Sequence, residues 1–476
     1  MNSNQDRQEP RLLVAIASFG NHHLDYLRKV IAAYRKLPLK VHVVVLSEAP
    51  KNLGDGVEVV VGLPARNPWS LPFAHKPVFA RHADQYDLFI YSEDDILFTE
   101  RNLEAFQSVS PHLAPDEIAG FLLYEMDAAG KQHLCNFHDH FHWKPETVAQ
   151  RGPHLVAEFS NEHSAFYMLT QAQLRKAIAS GGFLRGPYEG RHDMLCAAAT
   201  DPYTCCGFRK VICISDLEPF LLHHLPNRYL GKVGIPREMV EEQAEALAGI
   251  HRGTSPANRL CESETRLLQR GWSKSYYERP DAAVLDAVPR GARQILSVGC
   301  GWGALEGALV PRGAEVTAFP LDPVIGAVAA RRGVKVVCGT FEECFRTAEP
   351  AKFDCIIVSN LLHLQRDPAD LLSQCSRLLA RGGVIVVKGP NFDRIPILLK
   401  RLLGVGDYWR LSDFRQGGVN IRSPKTLARQ ARTAGLNGLK VQWMNHALPG
   451  DRLQGTGIHL GRLTAKDWML CAERAA

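Results

Sequence analysis

The sequence predicts an α/β protein of two domains, the second built on a doubly wound parallel sheet. Three observations carry this. Short apolar runs of strand length alternate with amphipathic helical stretches in both halves of the chain. A glycine-rich turn, Gly299-Cys300-Gly301-Trp302-Gly303, joins one such run to a helix. The chain has 476 residues, whereas a domain averages roughly 150 residues, so a single core is not expected.

The first half opens with a buried-strand run, Leu12–Ala17, ending in Ser18-Phe19-Gly20-Asn21. An amphipathic helix is predicted over Leu24–Lys36, a second strand over Val41–Leu46, and a third over Asp87–Ser92, which runs into Glu93-Asp94-Asp95. Between about Gly231 and Gly271 the character changes. A polar helical stretch, PREMVEEQAEALAGIHRG, is followed by the loop signal Thr254-Ser255-Pro256. The expected organisation is a first domain over 11–235, a helical linker over 236–270 and a second domain over 271–476.

In the second half, strands are predicted at Gln294–Gly299, Glu315–Leu321, Val334–Cys338, Phe353–Ser359, Gly383–Lys388, Leu439–Asn445 and Asp467–Ala472. Helices are predicted between them at Ala304–Val310, Val324–Arg331, Pro368–Leu379 and Pro424–Ala434.

Composition narrows the function classes. Hydrophobic residues make up 46% and charged residues 22%, ordinary for a globular protein. A net charge of +6 without a dominant Lys/Arg run argues against a nucleic-acid footprint and suits anionic small molecules such as nucleotide sugars. The 12 cysteines include no C-x-x-C pair, which disfavours a zinc site or disulfide framework and points to a reducing compartment. The polar N-terminus MNSNQDRQEPR has no apolar leader core, and no window approaches the roughly 18 apolar residues of a membrane span. The expectation is a cytoplasmic protein, with peripheral membrane contact left open.

Glycines are needed where a backbone turns tightly and a ligand approaches closely. The segment ILSVGCGWGALEGAL meets that need, but with Ala304 it also fits a dinucleotide-binding pattern, so a nicotinamide cofactor competes. Asp322 ends the next strand about 20 residues on, where a carboxylate can accept both ribose hydroxyls. Then follow the strand FDCIIVSN, the stretch Leu361-Leu362-His363-Leu364, and LLARGGVIVVKGPN.

From the lead-in WSKSYYERPDAAVLDAVPRGARQ to the closing strand AKDWMLCAER, this order of elements resembles the class I S-adenosylmethionine (SAM)-dependent methyltransferases, in particular the ubiquinone-type small-molecule branch. The resemblance implies a Rossmann-like seven-stranded domain. It implies that Gly299, Gly301 and Gly303 line the amino-acid end of SAM, that Asp322 holds the ribose, and that Phe341 lies near the adenine. Asn360 and Leu361 would flank the methionine portion. Two departures stand out: Ser297 and Thr340 occupy places where the family usually or often has an acidic residue. Methyl transfer needs positioning more than proton transfer, because the sulfonium is already electrophilic. A hydroxyl acceptor would still gain from a base, and His363 is the candidate, weighed against a role in packing or capping.

In the first half, YSEDDILF delivers Glu93, Asp94 and Asp95 to a strand end, where oxygen ligands can hold a divalent cation that neutralises a diphosphate. This looks like the acidic motif of GT-A fold nucleotide-sugar glycosyltransferases. The resemblance implies a GT-A-like (nucleotide-diphospho-sugar transferase) α/β domain with Mn²⁺ or Mg²⁺ at Glu93 and Asp95. It places Ser18, Phe19 and Asp94 near the nucleotide and His223 or His224 as a late metal ligand. His75, Lys76 and Arg81 precede the acidic strand and are candidates for phosphate oxygens. Glu189 and Asp193 in GGFLRGPYEGRHDM are candidates for an acceptor-side base. In LCNFHDHFHWKP, His138, His140 and His142 would share one face of a strand, as a metal site or as part of an acceptor wall with Phe137, Phe141 and Trp143.

The reading is a bifunctional transferase that glycosylates from a nucleotide-sugar donor and methylates a glycan or small-molecule acceptor. Two rivals stay open: a non-catalytic glycan-binding first domain, and a nicotinamide-dependent oxidoreductase in the second half.

Overall fold

A computed structural model describes residues 9–268, 270–446 and 461–475. The polar extreme N-terminus considered above lies outside them. The chain divides into two compact units. One comprises residues up to Phe137 and Phe141–His251; the other comprises His138–His140 and the chain from Arg252 onward.

The first unit has three sheets. The largest contains β1 (Arg11–Ala17), β2 (Lys40–Ser47), β3 (Val57–Val61), β4 (Leu88–Glu93) and β11 (Phe166–Thr170), in the order β11-β4-β1-β2-β3. β1 pairs in parallel with both β2 and β4, and β11 closes the edge antiparallel to β4. Leu12 to Ile16 are fully buried, as a strand covered on both faces requires. The helix Leu24–Tyr34 buries Leu27, Val30, Ile31 and Tyr34, a stripe at helical spacing.

A second sheet holds β6 (Glu117–Ala119), β9 (Ala149–Arg151), β10 (His154–Glu158) and β12 (Arg209–Cys213). A third holds β5 (Ile96–Leu97), β7 (Leu122–Met126), β8 (Gln132–Leu134), β13 (Leu221–His224) and β14 (Ile235–Pro236). The helix Arg237–His251, expected as part of a linker, belongs to this unit: Val240, Ala244 and Leu247 are buried, and it packs on β8 and β14. Its apolar stripe decides this, since a free linker helix would leave those residues wet.

A strand on which His138, His140 and His142 would share one face does not form. The segment is irregular, with Asp139 at φ +49°. Phe137 and Trp143 are not a binding wall either: both are buried against Phe159, at ring distances of 4.3 and 5.0 Å.

The second unit is a seven-stranded sheet of β15 (Gln294–Cys300), β16 (Glu315–Pro320), β17 (Lys335–Val336), β18 (Phe353–Ser359), β19 (Leu379–Pro390), β20 (Leu436–His446) and β21 (Ala465–Arg474). The order is β17-β16-β15-β18-β19-β21-β20. The first five run parallel and β21 is antiparallel to both its neighbours. Helices fall at Ala304–Gly307, Pro323–Ala330, Pro368–Leu378 and Pro424–Thr433, close to their expected places. Among the described residues no helix is long and apolar enough to cross a membrane.

Gly303 fixes how the glycine-rich turn enters its helix. It sits at φ +76°, and a Cβ there would lie 2.8 Å from Ala329 Cα on the helix Pro323–Ala330. Gly303→Ala is therefore expected to destabilise this unit by about 2–3 kcal/mol, summing left-handed strain and overpacking. The urea midpoint checks it, and a change within about 0.5 kcal/mol, the usual range for unconstrained surface positions, would contradict the packing argument.

Candidate functional site

In the first unit the strand order turns at β1: β2 and β3 lie on one side, β4 and β11 on the other. In open α/β sheets, ligands bind at the carboxyl ends of strands at such a reversal. β1 and β4 are paired with Ala17 opposite Glu93, so the residues that follow each strand meet. His23, just ahead of its helix, faces the acidic pair: Nδ1 is 3.1 Å from Asp94 Oδ1 and 3.4 Å from Asp95 Oδ2. These three side chains are close enough together for one cation. His224 adds Nε2 at 3.4 Å from Asp95 Oδ2, while its Nδ1 is oriented by Glu125 at 2.7 Å. Asp95 Oδ1 and Glu93 Oε1 are buried without a hydrogen-bond partner among the described residues.

The electrostatics match this crowding. Burial, and then the charges of Asp95 and Asp94, push the Glu93 carboxyl well above the usual carboxylate range. Burial raises Asp94 as well, opposed by a hydrogen bond from Ser18. Burial disfavours the His224 imidazolium, but Asp95 and then Glu125 outweigh it and hold its pKa above the ordinary value. A divalent ion would relieve all of these.

The other expected residues divide. Ser18 is buried beside Asp94, and Phe19 is exposed at the end of β1. Asp193 caps the helix Met194–Thr204, accepting from Cys196 N at 2.9 Å, and its charge reaches Glu93. Glu189 is exposed in the preceding loop. His223 departs from the expectation of a metal ligand. Neighbouring strand residues face opposite sides, and its ring stacks on Tyr124 at 4.9 Å rather than joining His224.

The three phosphate candidates also depart. Lys76 is buried and ion-paired with Asp201, and Arg81 is exposed at the last turn before β4 begins, the opposite edge from Glu93. His75 is buried and bonds Tyr167 Oη. Sequence reasoning missed His23. The available signal was its place directly after the loop that ends a central parallel strand.

In the second unit, the strand order reverses at β15, so the carboxyl ends of β15, β16 and β18 are the corresponding place. Gly299 (φ +79°) abuts Leu361, which is fully buried, and Asn360 at φ +51° donates its N–H to Lys388 O at 2.9 Å. A Cβ on Gly301 would lie 2.4 Å from Tyr276 O, so this glycine answers to the chain's own lead-in. Asp322 is buried and caps the helix Pro323–Ala330 through Ile325 N at 2.8 Å; burial pushes its carboxyl up to about 6. Phe341 opens the helix Phe341–Thr347, whose cap is built reciprocally by Thr340 and Glu343. The acidic group absent at position 297 returns from elsewhere: Ser297 Oγ donates to the buried Glu306 at 2.6 Å.

His363 is a packing residue in this structure. Its Nε2–H donates to Trp272 O at 2.8 Å, and burial drives its pKa down to about 4. A base so weak contributes little proton abstraction near neutrality. The depressed pKa means stability is present above about 6.5, the unfolded value, and is lost as pH falls through 4. His363→Gln is expected to remove about 2–3 kcal/mol of that acid sensitivity. Urea midpoints at pH 7.5 and pH 4.5 test it, and equal pH dependence in both proteins would refute it.

Comparison with known proteins bears on this unit. A family model described as a methyltransferase domain matches residues 270–441. The ubiquinone biosynthesis O-methyltransferase of Xylella fastidiosa (strain 9a5c) is 33% identical over 185 residues, which are 35% of this chain and 72% of the relative. That of Chromobacterium violaceum is 27% identical over 227 residues, 44% of this chain and 94% of the relative. A SAM dependent methyltransferase from Archaeoglobus fulgidus superposes with a TM-score of 0.31 at 17% identity, covering 39% of this chain and 87% of that one. The sequence matches set aside the nicotinamide alternative for the glycine-rich turn. Through residues 270–441 the chain belongs to the class I SAM-dependent methyltransferases, related to the ubiquinone biosynthesis O-methyltransferases.

Proposed function

We propose that the chain is a bifunctional transferase. The second unit O-methylates a glycan or small molecule. The first, a GT-A-like unit, transfers a sugar from a nucleotide donor bound through a divalent cation. The observation that carries the second half of this reading is the closure of Asp94 and Asp95 by His23 at the switch point of the β1–β4 sheet.

The groups suited to the cation are Asp94, Asp95, His23 and His224; oxygen and imidazole donors together suit Mn²⁺, and Mg²⁺ through the carboxylates. Phe19, exposed beside them, offers a ring face to a base, and Asp193 or Glu189 would serve the acceptor side. In the second unit Asp322 would hold a ribose, and Phe341 would lie near an adenine. The Gly299 turn would line the amino-acid end, with Asn360 and Leu361 flanking the methionine portion. This donor set fits SAM, whose sulfonium supplies an electrophilic methyl group. The protein's part is to orient acceptor and exclude water, since the buried His363 is no base.

Thermal shift on the whole chain tests the reading, because a ligand that binds only the native state raises Tm. Mn²⁺ with a UDP-, GDP- or dTDP-sugar should raise Tm beyond either alone, and S-adenosylhomocysteine should raise it independently. Mn²⁺ and the sugar nucleotides all failing to shift the transition would sink the first-unit assignment and favour a non-catalytic glycan-binding module. Joining both activities keeps an intermediate at high local concentration. Equal methylation of unglycosylated acceptor would contradict that coupling.

A further inference from the structure

The lead-in to the second unit, residues 258–277, contains no helix or strand among its described residues, yet several of its side chains are among the most buried of the unit. Leu260 is 3% exposed and bridges the end of β16 and the start of the helix Phe341–Thr347 with its backbone. Its N–H donates to Leu321 O at 2.9 Å, and its carbonyl accepts from Phe341 N at 3.2 Å. Tyr276 is 1% exposed. Its carbonyl accepts from Trp302 N at 2.9 Å, in the glycine-rich turn. Its hydroxyl lies 3.2 Å from Ser263 Oγ and reaches Asp322. Arg259 adds its charge beside Asp322. The two arms are tied to each other through Lys274 N and Ser263 O at 2.7 Å.

The polar groups an adenosine needs in this crevice are thus already taken by the chain itself. Leu260 holds the Phe341 N–H, and Tyr276 holds the Asp322 carboxylate and the turn at Gly301 and Trp302. One N–H at hydrogen-bond distance from a carbonyl has no place for a nucleobase as well.

We infer that the two arms at 258–263 and 273–277 form a displaceable internal plug of the cofactor cleft, Leu260 standing in for the nucleobase and Tyr276 for the ribose. SAM then binds only when the segment leaves. The inference rests on the cofactor reading above. A site open in only a fraction of molecules binds with its intrinsic affinity reduced by that fraction. A segment held by a few backbone bonds, without a regular element of its own, is a suitable part to open locally. Asp322 adds a reason: burial alone weakens its ionised form, and a ribose diol offers two donors where Tyr276 offers one.

The test uses the full chain and S-adenosylhomocysteine, followed by titration calorimetry and by hydrogen exchange. Leu260→Ala keeps the backbone bonds to Leu321 and Phe341 but removes the buried side chain that anchors the segment. Tyr276→Phe keeps the ring and removes the hydroxyl, which covers the case in which Leu260→Ala fails to fold. Each is expected to tighten binding by at least about tenfold, by raising the open fraction. In the unsubstituted chain, saturating ligand should strip exchange protection from peptides spanning 258–263 while Phe341 stays protected. Ligand that binds with unchanged or weaker affinity in both variants, and adds protection over 258–263, overturns the plug: the segment is then a wall of the cleft and the cofactor reading survives. No binding to any of the three proteins overturns the plug and the cofactor reading together.

Discussion

Asp201→Ala is expected to destabilise the first unit by about 3–5 kcal/mol, the usual cost of breaking a buried ion pair from one side. Asp201 is fully buried in the helix Met194–Thr204, and Lys76 is 2% exposed. The carboxylate takes the Lys76 ammonium on one oxygen and the Tyr188 hydroxyl, at 2.6 Å, on the other. Among the described residues that ammonium is otherwise supported by a long 3.4 Å bond to Arg185 O and the face of Phe73 at 4.3 Å. Removing Asp201 leaves a buried cation with those two weak supports. Burial already lowers the Lys76 pKa, with Asp201 opposing it, so in the variant the lysine is easier to neutralise and the loss should shrink as pH rises. Lys76→Met combined with Asp201→Leu should recover most of the stability, because an apolar pair of similar volume is often as stable as the ion pair. Urea unfolding of the three proteins checks this. A loss under about 1 kcal/mol in Asp201→Ala, typical of an exposed pair, would return Lys76 to the candidate phosphate ligands.

If the proposed cation site holds, Asp95→Asn is expected to weaken Mn²⁺ binding by about 100-fold and to abolish any metal-dependent nucleotide-sugar binding, since a charged oxygen ligand is replaced by a neutral one. Asp95 is the hinge of the cluster, facing His23 through one contact and His224 through another, both 3.4 Å. The metal-free variant should be no less stable than the parent. Thinning the negative charge relieves Glu93 and Asp94, whose pKa values Asp95 raises. Those raised values also set the pH sign: a carboxyl protonated at lower pH must release its proton to bind a cation, so affinity rises with pH. Titration calorimetry with Mn²⁺ at pH 6 and pH 8 measures both effects. Mn²⁺ affinity within about threefold of the parent in the Asp95→Asn variant would remove the cluster as a metal site. S-adenosylhomocysteine binding, which belongs to the other unit, should stay unchanged.

Local chemistry was readable from the sequence. Leu12–Ala17, Phe353–Ser359 and Pro368–Leu379 announce themselves through hydrophobic period, and the observed elements begin and end within one residue of them. The glycine-rich turn and the acidic strand end are local too, since one short segment contains all their parts. At His138–His142, where alternation would align three histidines on a strand, the chain is a loop with a left-handed Asp139. At Arg237–His251, helical period was recognised but not what its apolar stripe would pack on.

The decisive pairings were hidden because they join residues far apart in sequence. His23 meets Asp94 across 71 residues and Lys76 meets Asp201 across 125. Nothing in the residue types near Lys76 distinguishes a phosphate ligand from the buried half of an ion pair. The sequence by itself determined the order of strands in the second unit, the turn that enters its sheet and the membership of that unit in its family, because each depends on neighbours within a few turns of chain. Only tertiary structure decided which acid met which base, which histidine of the pair His223 and His224 faced Asp95, and that Leu260 covers Phe341. Such contacts follow from sheet order and burial, which period and spacing leave open.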